Sequence, residues 1–564
     1  MTRRRALITG MGGLLPALAS GEERSQARSM VITRRGIAAT SQTLASQAGA
    51  QILARGGSAM DAAIASNAVL QVVEPMSCGM GGDLFAIHWN AQTKALTGIN
   101  ASGWAPKRMT LAALRAKGAT AMPGLGILSA TVPGCVDGWE KLNRKFGKLK
   151  LAEVLQPAIY YARTGFPVTE IIHGHWDAAV AKLAADEGAG RVYLIKGRAP
   201  EVGEIFRNPD MARAFELVAK SGADAFYRGP IAQAIVKTSE RHGGLFDLAD
   251  FAEFSAEWVD PISTEYRGWK VYELPPNGQG IAVLMMLNLM ERFPLGEWGA
   301  MNPDTWHVKM EAQKLAYQDL HRYVADPRQA KVPVAGMLSK KYAAGRAALI
   351  DKAKARCDAG PGNPLPYEGD TIYLSAIDAE GNVVSLIQSV YQAFGSGVLV
   401  DGMGFHLHNR GALFSFDPKH PNAVAPRKRP FNTIIPAFME KGDLHVGFGI
   451  MGGSNQAQAH AQWVSNVADH GMNLQAALEA PRFTKLMPGG CDLMIENRVP
   501  QAVRAALAAR GHKLDVRADF SSNMGGGQAV MRDARAGVNY GASSPRKDGA
   551  AVPEPDPYWG AGKQ

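Results

Sequence analysis

The stretch 369–378, Gly-Asp-Thr-Ile-Tyr-Leu-Ser-Ala-Ile-Asp, opens on a turn-forming pair and continues as alternating polar and apolar residues. A period of two marks a half-buried strand, and Gly-Asp is ordinary turn chemistry. Residues 382–390 (NVVSLIQSV) alternate in the same way, and Ala379-Glu380-Gly381 turns the chain between them, so the two runs read as paired strands. The strand begins at Thr371, a good strand former in a position that needs no special explanation. Upstream, residues 352–370 (KAKARCDAGPGNPLPYEGD) are charged and rich in Pro and Gly, a loop with no core-forming pattern.

Working outward, residues 56–75 (GGSAMDAAIASNAVLQVVEP) predict a helix with Ser58 as N-cap and Asp61 at its third position, close to a capping box. It is apolar nearly all round, so it is expected to be buried. MGGDLFAIHWN (80–90) and ALTGINASG (95–103) read as a strand pair. LAEVLQPAIYYARTG (151–165) and NPDMARAFELVAKSG (208–222) read as amphipathic helices. Residues 305–327 predict a longer helix, with Asp304 as cap and a stop before Pro327. Further strands are expected in 442–453 and 528–533, and helices in 455–471 and 499–511. Helices and hairpin-connected strands mix without repeats, which gives an α+β class of packed layers.

The 564 residues are 46% hydrophobic and 20% charged, ordinary composition for a folded protein with a sizeable core. The net charge of +10 is scattered, without a basic block interleaved with aromatics, so a nucleic-acid partner is not expected. Cys78, Cys135, Cys357 and Cys491 lie far apart, without metal-ligand spacing, so neither a zinc site nor a disulfide framework is indicated. No metal or cofactor is expected. At the N-terminus, Arg3, Arg4 and Arg5 precede a modest apolar run ending in Ala17-Leu18-Ala19, a small-x-small pattern. Residues 1–19 therefore resemble a twin-arginine export signal, followed by a linker over 20–35. That run is too short to span a bilayer, and no other span is found. The expectation is a periplasmic protein free of the membrane, with a cytoplasmic one as the alternative.

Many short segments together carry a resemblance. Before Thr371 these include GGSAMDAA, GMGGDLF, ATVPGCVDGW, AFYRGPIA and YELPPNGQGIAVLMMLNLME. After it come GNVVSLIQSVYQAFGSGV, NAVAPRKRP, GIMGGSNQAQAH, EAPRF and GASSPRKDGAA. In number and order they resemble the γ-glutamyltransferase family of N-terminal nucleophile hydrolases over roughly residues 30 to 550. The resemblance implies a four-layer αββα sandwich with antiparallel sheets. It also implies a precursor that cuts itself between Asp370 and Thr371 into a large subunit (36–370) and a small subunit (371–564), intertwined in one catalytic domain. The pair is a heterodimer, and a dimer of heterodimers is left open. The chemistry is coherent: once terminal, Thr371 gains an α-amine with a pKa of about 7.7–8.0, suited to serve as its own general base. Ser389 matches a supporting hydroxyl, and Gly452 and Gly453 match the paired N–H donors of an oxyanion hole. GMGGDLF lacks the lysine and spacing of a phosphate loop and is read as tight backbone packing near the pocket.

The match breaks where family transpeptidases grip the α-carboxylate and α-ammonium of a γ-glutamyl group. Ser102 stands at the place of a carboxylate-binding arginine, and Leu413 at that of an ammonium-binding acid. Tyr391 replaces an Asn and Arg410 a Gln, while Asn432 and Thr433 keep a polar pair near the substrate carboxylate. Each lost charged contact is worth about 1.5–3 kcal/mol, and a leucine facing an ammonium desolvates it without a partner. The resemblance therefore implies an acylase-like or oxamate-amidohydrolase-like member acting on a small amide other than the usual γ-glutamyl one. Arg410 reads either as a substrate anchor or as a brace for its loop. Two other readings are an ordinary γ-glutamyltranspeptidase or glutathione hydrolase, and a non-catalytic binding protein whose chain stays uncut at about 60 kDa.

Overall fold

The computed structural model describes residues 26–357, 370–487 and 489–558; of Asp370 only the backbone is described. Residues 1–19, read above as an export signal, and most of the loop over 352–370 lie outside the described residues.

Alternating residues in the central hairpin decide the layering. Strands β1 (Val31–Thr33), β2 (Ile37–Thr40), β3 (Asp83–Asn90), β4 (Ala95–Ala101), β5 (Glu257–Val259), β6 (Ile262–Tyr266) and β7 (Trp269–Glu273) precede it. The hairpin itself is β8 (Asp370–Ile377) and β9 (Val383–Tyr391). After it come β10 (Ala437–Lys441), β11 (Leu444–Ile450), β12 (Gly527–Asp533), β13 (Val538–Ser543) and β14 (Ala550–Pro553). Among the described residues they form two seven-stranded antiparallel sheets, ordered β14-β2-β8-β9-β3-β4-β5 and β1-β13-β12-β11-β10-β7-β6. Tyr373 and Ile377 of β8, with Val383 and Ile387 of β9, pack between the sheets beside Phe438 and Val530. The alternate residues, Ile372, Leu374, Val384 and Leu386, face the opposite way into a core with the outer helices α1 (Thr43–Ala54) and α2 (Ala59–Val73). On the other outer face lie α3 (Gly280–Met290), α4 (Pro303–Tyr323) and α5 (Asn455–Ala468). The order helix, sheet, sheet, helix is the expected four-layer sandwich.

Helix α2 is buried along its whole length, and Ser58 and Asp61 close the capping box anticipated for it. Four expectations need correction. Asn302, not Asp304, caps α4, because Pro303 takes the first helical position. The 151–165 helix is two, Leu151–Val154 and Gln156–Thr164, broken at Leu155 by Pro157 at the second helix's start. The 20–35 segment is more than linker, since its β-branched Val31-Ile32-Thr33 pairs with Asn539–Gly541 as an edge strand. Finally, Cys357 and Cys491 form a disulfide with Cα atoms 4.8 Å apart. Their 134-residue separation left no spacing signal, because the fold alone brings them together.

Candidate active site

Thr371 sits where β8 enters the sandwich. Asp370 pairs with Tyr391 and Ile372 with Gln388, so the register slips at Thr371. Such a bulge re-aims a side chain and ends regular pairing. Thr371 is 2% exposed, and its hydroxyl donates to Ser389 Oγ at 3.3 Å. Ser389 Oγ also accepts the Tyr391 N–H at 2.7 Å, which fixes the serine rotamer against its own strand end. Tyr391 follows with φ of 79°, a left-handed conformation costly for a bulky residue. The expected tight packing of GMGGDLF is seen here: a Cβ on Gly82 would lie 2.4 Å from the Ser389 carbonyl oxygen, and one on Gly81 would lie 2.1 Å from that of His406.

Gly452 and Gly453 form the link between β11 and α5, with φ of 119° and 57°. Both values favour glycine, and the arrangement brings successive N–H groups to the start of a fourteen-residue helix, where the dipole favours negative charge. Among the described residues neither N–H has a hydrogen-bond acceptor, whereas the carbonyls of both accept N–H bonds from Asn455 and Gln456. The strand before them is pinned by His460: Ile450 N–H donates to its Nε2 at 2.9 Å. The Nδ1 proton is thereby directed to Glu273 Oε1 at 2.9 Å. Burial pushes the His460 pKa down to about 3 and that of Glu273 well up, so the imidazole is neutral.

The remaining candidate residues gather around a carboxylate that the sequence reading missed. Asp83, at the start of β3, accepts from Asn432 Nδ2 at 2.9 Å, Gly103 N–H at 2.9 Å and Ser102 Oγ at 3.5 Å. Asn432 also donates to Ser102 Oγ at 3.1 Å, and Asn277 reaches the same oxygen at 3.2 Å. Arg410 is fully buried, with Nε 3.8 Å from Asp83 Oδ2. Its Nη1 donates to Thr433 Oγ1 at 2.7 Å, and its guanidinium lies 4.7 Å from the centre of the Tyr391 ring. Arg410 Nε and Nη2 have no hydrogen-bond partner among the described residues. Burial lowers the Arg410 pKa to about 10, which leaves it a cation at neutral pH. Leu413 is buried one helical turn on, in an apolar group with Tyr391, Ala412 and Phe431. Ser102, Tyr391, Arg410, Asn432 and Thr433 are thus one network, joined to Thr371 through Ser389, with Leu413 packed on the Tyr391 side. The only sequence hint of Asp83 was its place inside GMGGDLF. A separate cleft of about 580 Å³, lined by His88, Lys145, Asp378 and Glu380 among others, lies at the turn end of the hairpin, away from Thr371.

The gamma-glutamyltranspeptidase family model matches residues 45–554. The chain is 38% identical over 514 residues to the Glutathione hydrolase-like YwrD proenzyme of Bacillus subtilis, covering 90% of this chain and 96% of the relative. It is 34% identical over 531 residues to the oxamate amidohydrolase proenzyme of Klebsiella pneumoniae, covering 92% and 99%. Among solved structures it resembles the cephalosporin acylase from Bacillus halodurans, with a TM-score of 0.88 and 41% identity over 95% of this chain and 98% of that one.

Proposed function

Since this chain belongs to the gamma-glutamyltranspeptidase family, whose relatives here are proenzymes that act as hydrolases and acylases, we propose that it is a self-processing amidohydrolase with Thr371 as nucleophile. In the first step the Thr371 hydroxyl attacks the Asp370 carbonyl carbon. The peptide C–N bond breaks as an ester forms, and the nitrogen keeps its electron pair and takes up the proton. Water then hydrolyses the ester, leaving Asp370 as a carboxylate and Thr371 with a free α-amine.

In turnover the α-amine takes the hydroxyl proton while Oγ attacks the substrate amide. Gly452 and Gly453 N–H groups receive the developing oxyanion, and the amine leaves protonated. Water releases the acyl group from Thr371. The observation that carries this reading is the contact of the buried Thr371 hydroxyl with Ser389 at the register slip, one bond removed from the Tyr391–Arg410 stack.

The substrate we propose is a small amide whose acyl part carries a carboxylate but no α-ammonium. Arg410 supports it: Asp83 lies 3.8 Å from its Nε, yet neither Nε nor Nη2 has a hydrogen-bond acceptor among the described residues, which leaves donors for a substrate carboxylate. Leu413, buried among apolar side chains, offers an ammonium nothing. Export to the periplasm completes the proposal. It rests on the Arg3-Arg4 leader and gains support from the disulfide, a bond typical of oxidising compartments.

A reducing, denaturing gel with N-terminal sequencing tests the first part: two fragments are expected, the smaller starting at Thr371. An uncut chain overturns it. A panel of acid amides beside glutathione and a γ-glutamyl anilide tests the second. A kcat/KM for glutathione in the range of efficient enzymes, about 10⁴ M⁻¹s⁻¹ or more, would return the protein to the glutathione-hydrolase reading that its Bacillus subtilis relative's name suggests.

A further inference from the structure

We infer that the Cys357–Cys491 disulfide is the covalent joint between the two halves of the processed protein. The inference rests on the proposed cut at Asp370–Thr371. Cys357 precedes Asp370 by 13 positions and so belongs to the large half, whereas Cys491 belongs to the small half. The scissile bond lies inside the 134-residue interval that the disulfide closes. Cutting it opens the loop but frees neither fragment. Cys78 and Cys135 are buried, unpaired and both in the large half, so neither makes such a joint.

The seam around the bond positions the two sulfurs before they join. On the large half, α4 supplies Glu311, whose carboxylate accepts the Arg356 N–H at 3.2 Å. It also supplies Lys314, whose Nζ donates to the Arg356 carbonyl at 2.9 Å and lies 3.6 Å from Cys491 Sγ. On the small half, the Arg510 carbonyl accepts the Ala355 N–H at 2.7 Å, and Lys513 N–H donates to the Cys491 carbonyl at 2.9 Å. A buried hydrogen bond of 2.8 Å between His307 and His512 crosses the same seam. Residue 355 is therefore held against the small half, and residue 356 against α4 beside Cys491, by contacts that need no disulfide. The Cα separation of 4.8 Å is within the range that a disulfide bridges without backbone movement.

Forming the bond removes two protons and two electrons from the thiols. A protein or small-molecule disulfide accepts them by thiol–disulfide exchange and becomes a dithiol. Cys357 is exposed and Cys491 buried, so an external thiolate attacks the Cys357 sulfur and expels the Cys491 thiolate; a second thiol then resolves the mixed disulfide. While the bond stands, association of the halves is intramolecular and independent of dilution.

The test uses the full-length processed protein, with thiols blocked before denaturation, run with and without dithiothreitol. The joint predicts one band near full length without reductant and two with it. Two bands without reductant overturn the joint and leave the processing reading intact. One band under both conditions overturns the processing reading, and the joint with it. Cys357→Ser is expected to give two bands in both lanes. A peptide digest without reduction supplies a readout independent of any variant's folding: a linked pair of peptides holding Cys357 and Cys491 is expected, and its absence overturns the joint.

Discussion

In the proposed mechanism the Thr371 hydroxyl and the prospective α-amine share one residue, so a single substitution is expected to remove both the cutting and the turnover. Thr371→Ala is expected to give one uncut band and to lower amide hydrolysis by more than about four powers of ten; Thr371→Ser keeps a hydroxyl and is expected to split. Cleavage at Asp370–Thr371 in the alanine variant would sink the mechanism. Arg410 makes the second residue-scale prediction. It faces Thr433 with one nitrogen and keeps two open, so Arg410→Gln is expected to raise KM for an acid amide about 10- to 100-fold, the worth of one charged hydrogen bond. The splitting of the precursor should be unchanged. Equal losses for acid and neutral amides would instead assign Arg410 to bracing its loop. These residues could be singled out because the segments around them keep family-like spelling in order. Asp83 was not, because a buried carboxylate is recognised by what converges on it. Asn432, Ser102 and Gly103 reach it from distant parts of the chain.

The elements carrying these residues hold them by close backbone approach. Strand β9 and the Gly81-Gly82 turn leave no room for a methyl group, since a Cβ on Gly82 meets the Ser389 backbone oxygen and the Gln388 side chain at 2.4 Å each. Gly82→Ala is therefore expected to cost about 1–3 kcal/mol of stability and to lower kcat more than it raises KM, because the displaced strand end carries Ser389. An unchanged kcat in a folded Gly82→Ala protein would uncouple that turn from the site. At this scale the sequence told much: the hairpin, β3 with β4, and α2 with its cap all follow from period and capping chemistry. It told less where an element is short or punctuated. Val31–Thr33 is too brief to show a period, and Pro157 starts a second helix inside an apparently continuous amphipathic pattern. Strand order is a tertiary outcome. Nothing local places β14 from the end of the described chain beside β2 from its start.

Across the whole molecule, the layers bury histidines that no sequence pattern distinguished from exposed ones, and these contribute to its response to acid. His88 in β3 stacks on Phe146 at 3.9 Å, and burial pushes its pKa down to about 4. Burial likewise depresses His321 to about 4 and His406 and His460 to about 3. In the unfolded chain each titrates near 6.5. Between pH 6.5 and about 4 the unfolded state thus binds more protons, and these groups withdraw stability as the pH falls. Burial acts oppositely on Glu273, Asp250, Asp319 and Asp378, whose raised pKa values let the folded state take up protons first. A bare pH–stability curve sums the two groups, so one histidine is isolated by substitution. His88→Phe keeps the stacking area on Phe146 and removes a buried nitrogen, Nδ1, that has no partner among the described residues. Its stability relative to the unsubstituted protein is expected to improve by about 3 kcal/mol as the pH falls from 6.5 to 4, the equivalent of a shift from 6.5 to about 4. Thermal unfolding of the two proteins at matched pH values measures the difference. Parallel Tm curves over that range would mean that His88 takes up its proton in the folded state as readily as in the unfolded one.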